Sequence, residues 1–183
     1  MKSLWTDRSG SAAVEMALVS PLLIVLMFGS FELGNYFMSE HAVAKAVRDG
    51  ARYASRLPIS TYSCPSGGAD GSAGSFATGT TAQQSQIRNI TRTGSIDGSA
   101  TPRLSYWSAA QESAGLPTGS PITLTITCRL ASNFSGALSG MPGNIPVITV
   151  AANVRYPSVL TQVGFASANL RLNSQSQAPV MGL

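Results

Sequence analysis

The residues able to do chemistry are few and scattered. The chain of 183 residues has one histidine, His41, two cysteines, Cys64 and Cys128, and eight acidic residues spread along its length. It contains no G-x-S-x-G elbow, no P-loop and no metal-spaced His/Cys/Asp group, and none of its many Ser and Thr residues has an evident base nearby. Glu15 stands apart, because it is the only ionisable residue between Ser11 and Phe31. An unpaired carboxylate in an apolar helix is costly unless it snorkels to the headgroups or finds a cation. A cut after Gly10 would give Ser11 a new α-ammonium close to Glu15, and the two charges could neutralise each other within one chain or between neighbours. The chemistry expected here is charge pairing in an apolar setting. No enzyme activity, cofactor, metal or small-molecule substrate is expected.

The element that must carry Glu15 is S-A-A-V-E-M-A-L-V-S-P-L-L-I-V-L-M-F-G-S-F, from Ser11 to Phe31. A helix of about 20 apolar residues spans a hydrocarbon core roughly 30 Å thick. Pro21 removes the hydrogen bond to the Ala17 carbonyl and invites a local kink. Ser30 and Gly34 form a small-xxx-small pair that would let two helices approach closely. Glu32 falls near the outer interface and reads as a solvated carboxylate rather than a contact between subunits.

Lys2 and Arg8 precede the apolar run, and the next basic residues begin only at Lys45. The positive-inside rule discriminates weakly here. A short tail ahead of a large, nearly neutral domain favours a cytoplasmic N-terminus with the bulk exported across the inner membrane. A cleaved secretory signal is the rival reading, with an A-x-A site at Ala42-Val43-Ala44. That site stands beyond Glu32, Glu40 and His41, too far from the apolar core for ordinary processing.

From Asn35 the helix is expected to continue as an amphipathic stalk. Ala42, Ala46, Gly50 and Ala54 recur every four residues as one small-residue stripe. Lys45, Arg48, Asp49, Arg52 and Arg56 occupy other faces. The stripe suits packing on the chain's own domain or on other subunits, and the pattern leaves both open. Leu57-Pro58 ends the helix.

The basic leader, Gly10, Glu15 at the fifth position beyond it, and the stretches G-S-A-A-V-E-M-A-L-V-S-P-L-L-I-V-L-M-F-G-S-F-E-L-G and A-V-R-D-G-A-R-Y-A resemble TadE-like pseudopilins of tight-adherence (Flp/Tad, type IVc) pilus systems. The resemblance is densest over residues 8 to 56 and departs from the usual pattern at Met16, where an aromatic is common. It implies a prepilin leader cut between Gly10 and Ser11 by a prepilin peptidase. It also implies an assembly role for Glu15, and other pilins, pseudopilins and the Tad assembly platform as partners.

Beyond the stalk, C-P-S-G-G-A-D-G-S-A-G-S-F-A-T-G-T reads as part of a long loop from Ile59 to Thr81. Gln83 to Thr93 fits a short helix with Ile87 and Ile90 on its apolar side. The stretch L-S-Y-W-S around Trp107 fits either a strand or a covered turn. Pro121 to Leu130 alternates strictly and turns Ile122, Leu124, Ile126 and Cys128 to one face. Val147 to Tyr156 reads as a second strand stopped by Pro157, Phe165 to Ser174 as a third, and the tail to Leu183 as loosely held. Cys64 and Cys128 are expected to form a disulfide in an exported domain, since two thiols alone do not make a structural zinc site.

The fold expected is α+β and pilin-like, a small antiparallel sheet covered by the N-terminal helix. That cover rests partly on the resemblance. The organisation expected is a leader at 1–10, a transmembrane and stalk helix at 11–57, and an exported domain at 58–183. A net charge of +4 with 11% charged residues and no aromatic-interleaved basic patch gives nucleic-acid binding no support. The reading is a minor pilin or pseudopilin; the alternative is an envelope-anchored binding or adhesion domain whose anchor is never cut.

Overall fold

The structure is a computed structural model that describes residues 9–107, 121–141, 143–162 and 170–182. The N-terminal helix α1 runs over Ser9–Arg56 as one continuous element with Pro21 inside it. Strands β1 (Tyr62–Ser63) and β2 (Ser72–Phe76) follow, then helix α2 (Thr81–Thr93) and strands β3 (Ile122–Leu130) and β4 (Asn144–Arg155). A short helix α3 (Val159–Gln162) precedes strand β5 (Arg171–Pro179). The class is α+β, as expected.

Two compact units are distinguished. The first comprises the described parts of Met1–Met38 and Pro157–Ala168, the second those of Ser39–Tyr156 and Asn169–Leu183. In the first unit, the apolar stretch of α1 is long and apolar enough to cross a membrane, with a mean hydropathy of 2.1, and none of it is buried.

The second unit is built on a sheet ordered β1-β2-β3-β4-β5, antiparallel throughout. Register follows the alternation of β3: Ile122, Leu124 and Ile126 lie opposite Ala152, Val150 and Ile148. These in turn lie opposite Ser174, Ser176 and Ala178 on β5. On that face Ile122, Ile126, Ile148, Val150 and Ala152 are buried and Leu124, Ser174, Ser176 and Ala178 half-buried, whereas Thr123, Thr125, Arg129, Gln175 and Gln177 on the other face are exposed. Val43, Ala46, Val47, Ala51 and Ala54 of α1 and Ile87 and Thr91 of α2 are buried too, and at Gly50 α1 comes up against Thr91 and Val150 of β4. The result is one layer of helix on one layer of sheet.

Several sequence expectations are corrected. The segment Ile59–Thr81 is no simple loop, because it supplies β1 and β2 and enlarges the sheet from three strands to five. Strand β4 begins at Asn144, and α2 at Thr81. The last strand lies later than Phe165–Ser174, whose residues 165–169 fall outside the described residues. The tail is tied down: Val180 is fully buried and its N–H reaches the Pro146 carbonyl at 2.9 Å. The Met181 N–H reaches the Ser55 carbonyl at 2.9 Å, and the Gly182 carbonyl accepts from Ile59 N–H at 3.0 Å. A Cβ on Gly182 would overlap the Leu57 carbonyl, so only glycine allows this approach. Trp107 is fully buried at the end of a turn closed by its N–H to the Leu104 carbonyl, which decides for the covered turn.

Candidate functional site

The residues singled out in the sequence lie mostly on α1, and the helix treats its two stretches differently. In the first, Gly10 is helical and exposed, with open space around a built Cβ. Ser11 continues the helix directly after it. Glu15 is exposed and lies between Val14, 61% exposed, and Met16, 68% exposed, so the carboxylate stands within an uncovered apolar surface. Leu18, Leu22, Leu26 and Phe31 continue that surface. Ser30 turns its hydroxyl back to the Met27 carbonyl at 2.9 Å, the local bond that lets serine sit in an apolar helix. Gly34 is exposed and has nothing within 4 Å of a built Cβ. The Ser30–Gly34 pair therefore remains open to a neighbouring helix.

Glu32 departs from its expected solvated state. It is 8% exposed, and Oε2 accepts the backbone N–H of Val159 at 3.0 Å. Its Oε1 is buried with no hydrogen-bond partner among the described residues. The carboxylate thus ties the first residue of α3 to α1. Sequence position concealed this, since the two residues are separated by 127 positions.

In the second stretch the small-residue stripe is covered by the chain itself. Ala46 and Ala54 are fully buried, Gly50 is buried, and Ala42 is half-buried. A Cβ on Gly50 would overlap the Thr91 hydroxyl of α2 and lie 3.5 Å from Val150 of β4. Asp49 receives a bond from Arg103 at 2.7 Å. Tyr62 donates its phenol at 2.6 Å to the Ala54 carbonyl, which also accepts the Leu57 N–H at 3.2 Å in the last helical turn. Burial, with Tyr53 adding to it, pushes the Tyr62 phenol well above its ordinary range, so it remains a donor. Burial also raises the Glu40 carboxyl, against the opposing pull of the Asn173 N–H and His41.

Cys64 and Cys128 are joined, with a Cα–Cα distance of 5.8 Å. The bond connects the chain after β1 to the inward side of β3. Asp70 reinforces the same corner by accepting from Arg129 at 2.8 Å and from the Leu130 N–H at 3.0 Å. The Leu130 N–H, the Arg129 guanidinium and Asn133 together hold its carboxyl below the usual range. Bonds from Ser95 and Ser99 bring the exposed Asp97 carboxyl down to about 2. Among the described residues, no group of three or more His, Cys, Asp or Glu gathers as metal ligands would. An open groove on the outer sheet face is lined by Thr123, Ala151, Asn153, Asn173 and Gln175, which include neither a base nor an acid.

No curated protein and no solved structure matches the chain. A family model described as TadE-like protein matches residues 10–52, the stretch that holds Gly10, Glu15, the uncovered apolar surface and most of the small-residue stripe. That N-terminal stretch is similar to TadE-like proteins.

Proposed function

We propose that the chain is a minor pilin or pseudopilin that takes part in assembling a tight-adherence pilus and has no enzymatic activity. The observation that carries this reading is the contrast along α1. Its first stretch leaves every large apolar side chain uncovered around Glu15, while its second stretch is sheathed by the sheet and α2. A helix of that kind needs lipid before assembly and other apolar helices after it. The TadE-like match over residues 10–52 supports a pilus-associated role for the same segment. Prepilin peptidase would cut after Gly10 at the cytoplasmic face of the inner membrane. Ser11 would then carry an α-ammonium, and Glu15 would neutralise it or that of a neighbour, which selects helix register during packing. The assembly platform and other pilins are the partners this reading requires.

The test is N-terminal sequencing and intact mass of the mature protein from host membranes, combined with Glu15→Ala. A start at Ser11, with insertion intact but piliation impaired in Glu15→Ala, is the expected result. A start at Met1 would overturn processing and favour an anchored binding domain. Unchanged piliation would overturn the role of Glu15.

A further inference from the structure

The side of α1 turned away from the sheet carries His41, Lys45, Arg48, Arg52 and Arg56, all exposed. Their spacing is four, three, four and four residues. At about 100° per residue they fall within an arc of roughly 80° on the opposite side of the helix from the buried small-residue stripe. The spacings average about 3.75 residues, close to the 3.6 of one helical turn, so the row follows a single face of α1. Asp49, the acid nearest the row, is taken by Arg103. Among the described residues, Lys45, Arg48, Arg52 and Arg56 form no ion pair; the pairs present are Arg103–Asp49 and Arg129–Asp70. From Lys45 to Arg56 the row holds four cations outside any ion pair among the described residues.

We infer that this row is a docking face for an acidic helix of a different protein, one whose Asp and Glu recur every three to four residues. A second copy does not fit. Its eight acids stand at least eight positions apart along the sequence, so it supplies no helix with acids at three-to-four spacing. Two copies laid row to row would oppose like charges. A lipid surface fits poorly as well. An interfacial helix inserts the apolar side opposite its cations, and here that side is covered by the sheet and α2. Nucleic acid lacks the stacking aromatics that usually accompany such a row, since Tyr53 on this stretch is bonded to Gln86. Exposed pairs are individually weak, so the row chooses partner and register more than it supplies affinity.

The inference relies on the part of the pilin reading that exports the stalk, and it is independent of leader removal. The experiment places a photoreactive benzophenone amino acid at Arg48 of the full-length protein in its host. It compares adducts with and without Lys45→Glu/Arg52→Glu. The expected product is an adduct to one different protein, mapped to a helix with acids at three-to-four spacing. Its yield should fall at least tenfold with the charge reversal and return when two partner acids are changed to lysine. An adduct to a second copy, to lipid or to nucleic acid overturns the inference, as does a yield indifferent to charge or the lack of any adduct. Lys45→Gln/Arg52→Gln, checked for an intact Cys64–Cys128 bond, serves if the reversal disturbs folding, and should lower the yield by a smaller factor. The N-terminus of the same preparation separates the two readings. A Ser11 start without a charge-dependent adduct removes the docking face alone, and a Met1 start with one removes the pilin processing alone.

Discussion

Gly50 of α1 lies so close to Thr91 of α2 that a Cβ at residue 50 would overlap the Thr91 hydroxyl. Thr91 is fully buried and its hydroxyl donates to the Ile87 carbonyl at 2.8 Å, so it cannot swing aside without leaving a buried group unpaired. The glycine in the small-residue stripe is therefore a point where the two helices and β4 meet without room for a side chain.

Gly50→Ala should destabilise the second unit. Overpacking of this kind costs about 1–3 kcal/mol, against a gain of about 1 kcal/mol in helix propensity. A net loss is expected in thermal unfolding of the full chain in detergent. Thr91→Ala in the same molecule removes the overlapping hydroxyl, so the double variant should lose less than the two single losses added together. Gly34→Ala, with open space around its Cβ, should leave the midpoint unchanged or raise it slightly. Strict additivity of Gly50→Ala and Thr91→Ala would contradict the close approach.

The disulfide should contribute strongly. It closes a separation of 64 residues, for which the chain-entropy relation gives about 4 kcal/mol. Cys64→Ser/Cys128→Ser, or reduction with a thiol, should lower the unfolding midpoint by many degrees. A mass gain of two hydrogens on reduction confirms the bond, and an unchanged midpoint after that gain would refute its structural weight.

How much of this could be read beforehand depends on whether an element's reason was local. The T-I alternation of β3 and the four-residue recurrence of Ala42, Ala46, Gly50 and Ala54 carry their own period, and both are visible in the chain. Strand β5 is R-L-N-S-Q-S-Q-A-P, almost wholly polar, and nothing local marks it as a strand. It is extended because Leu172 to Pro179 pair in register with Val154 to Val147 and turn the small Ser174, Ser176 and Ala178 inward. In S-A-G-S-F of β2, Gly74 is the fitting residue because a side chain there would collide with Ile126 and Cys128. At the candidate site, Glu15 and Gly10 announce themselves by type and spacing. The burial of Glu32 depends on a segment 127 residues away and leaves no local trace.

Asp70 gives a pH dependence with a definite sign. Its folded-state carboxyl is held below the ordinary value of 3.8, first by the Leu130 N–H and then by Arg129. A depressed acid contributes stability that is present above its unfolded value and is lost as pH falls through the folded one. Asp70→Asn should therefore lower the unfolding midpoint at pH 7, and the gap to the parent should close as pH falls below the ordinary carboxylate range. A gap that persists undiminished at low pH would mean that the carboxylate charge is not what holds this corner.

The Glu32 carboxylate should hold the start of α3 through a single bond. Oε2 meets the Val159 N–H at 3.0 Å while Oε1 is buried without a partner, so the carbonyl-like acceptor matters here more than a second ligand does. Glu32→Gln keeps one acceptor oxygen, and Glu32→Ala removes it. Hydrogen exchange on the full chain in detergent should then show the Val159 amide exchanging about tenfold faster in Glu32→Ala, with Glu32→Gln close to the parent. Faster exchange confined to Pro157–Gln162 would mark the bond as local, because the second unit keeps its own core of Val43, Val47, Ile148 and Val150. If both variants exchange at the parental rate, the segment is held by its apolar contacts and the bond to Glu32 is incidental. If both exchange equally fast, the negative charge itself is required, and a neutral acceptor does not replace it.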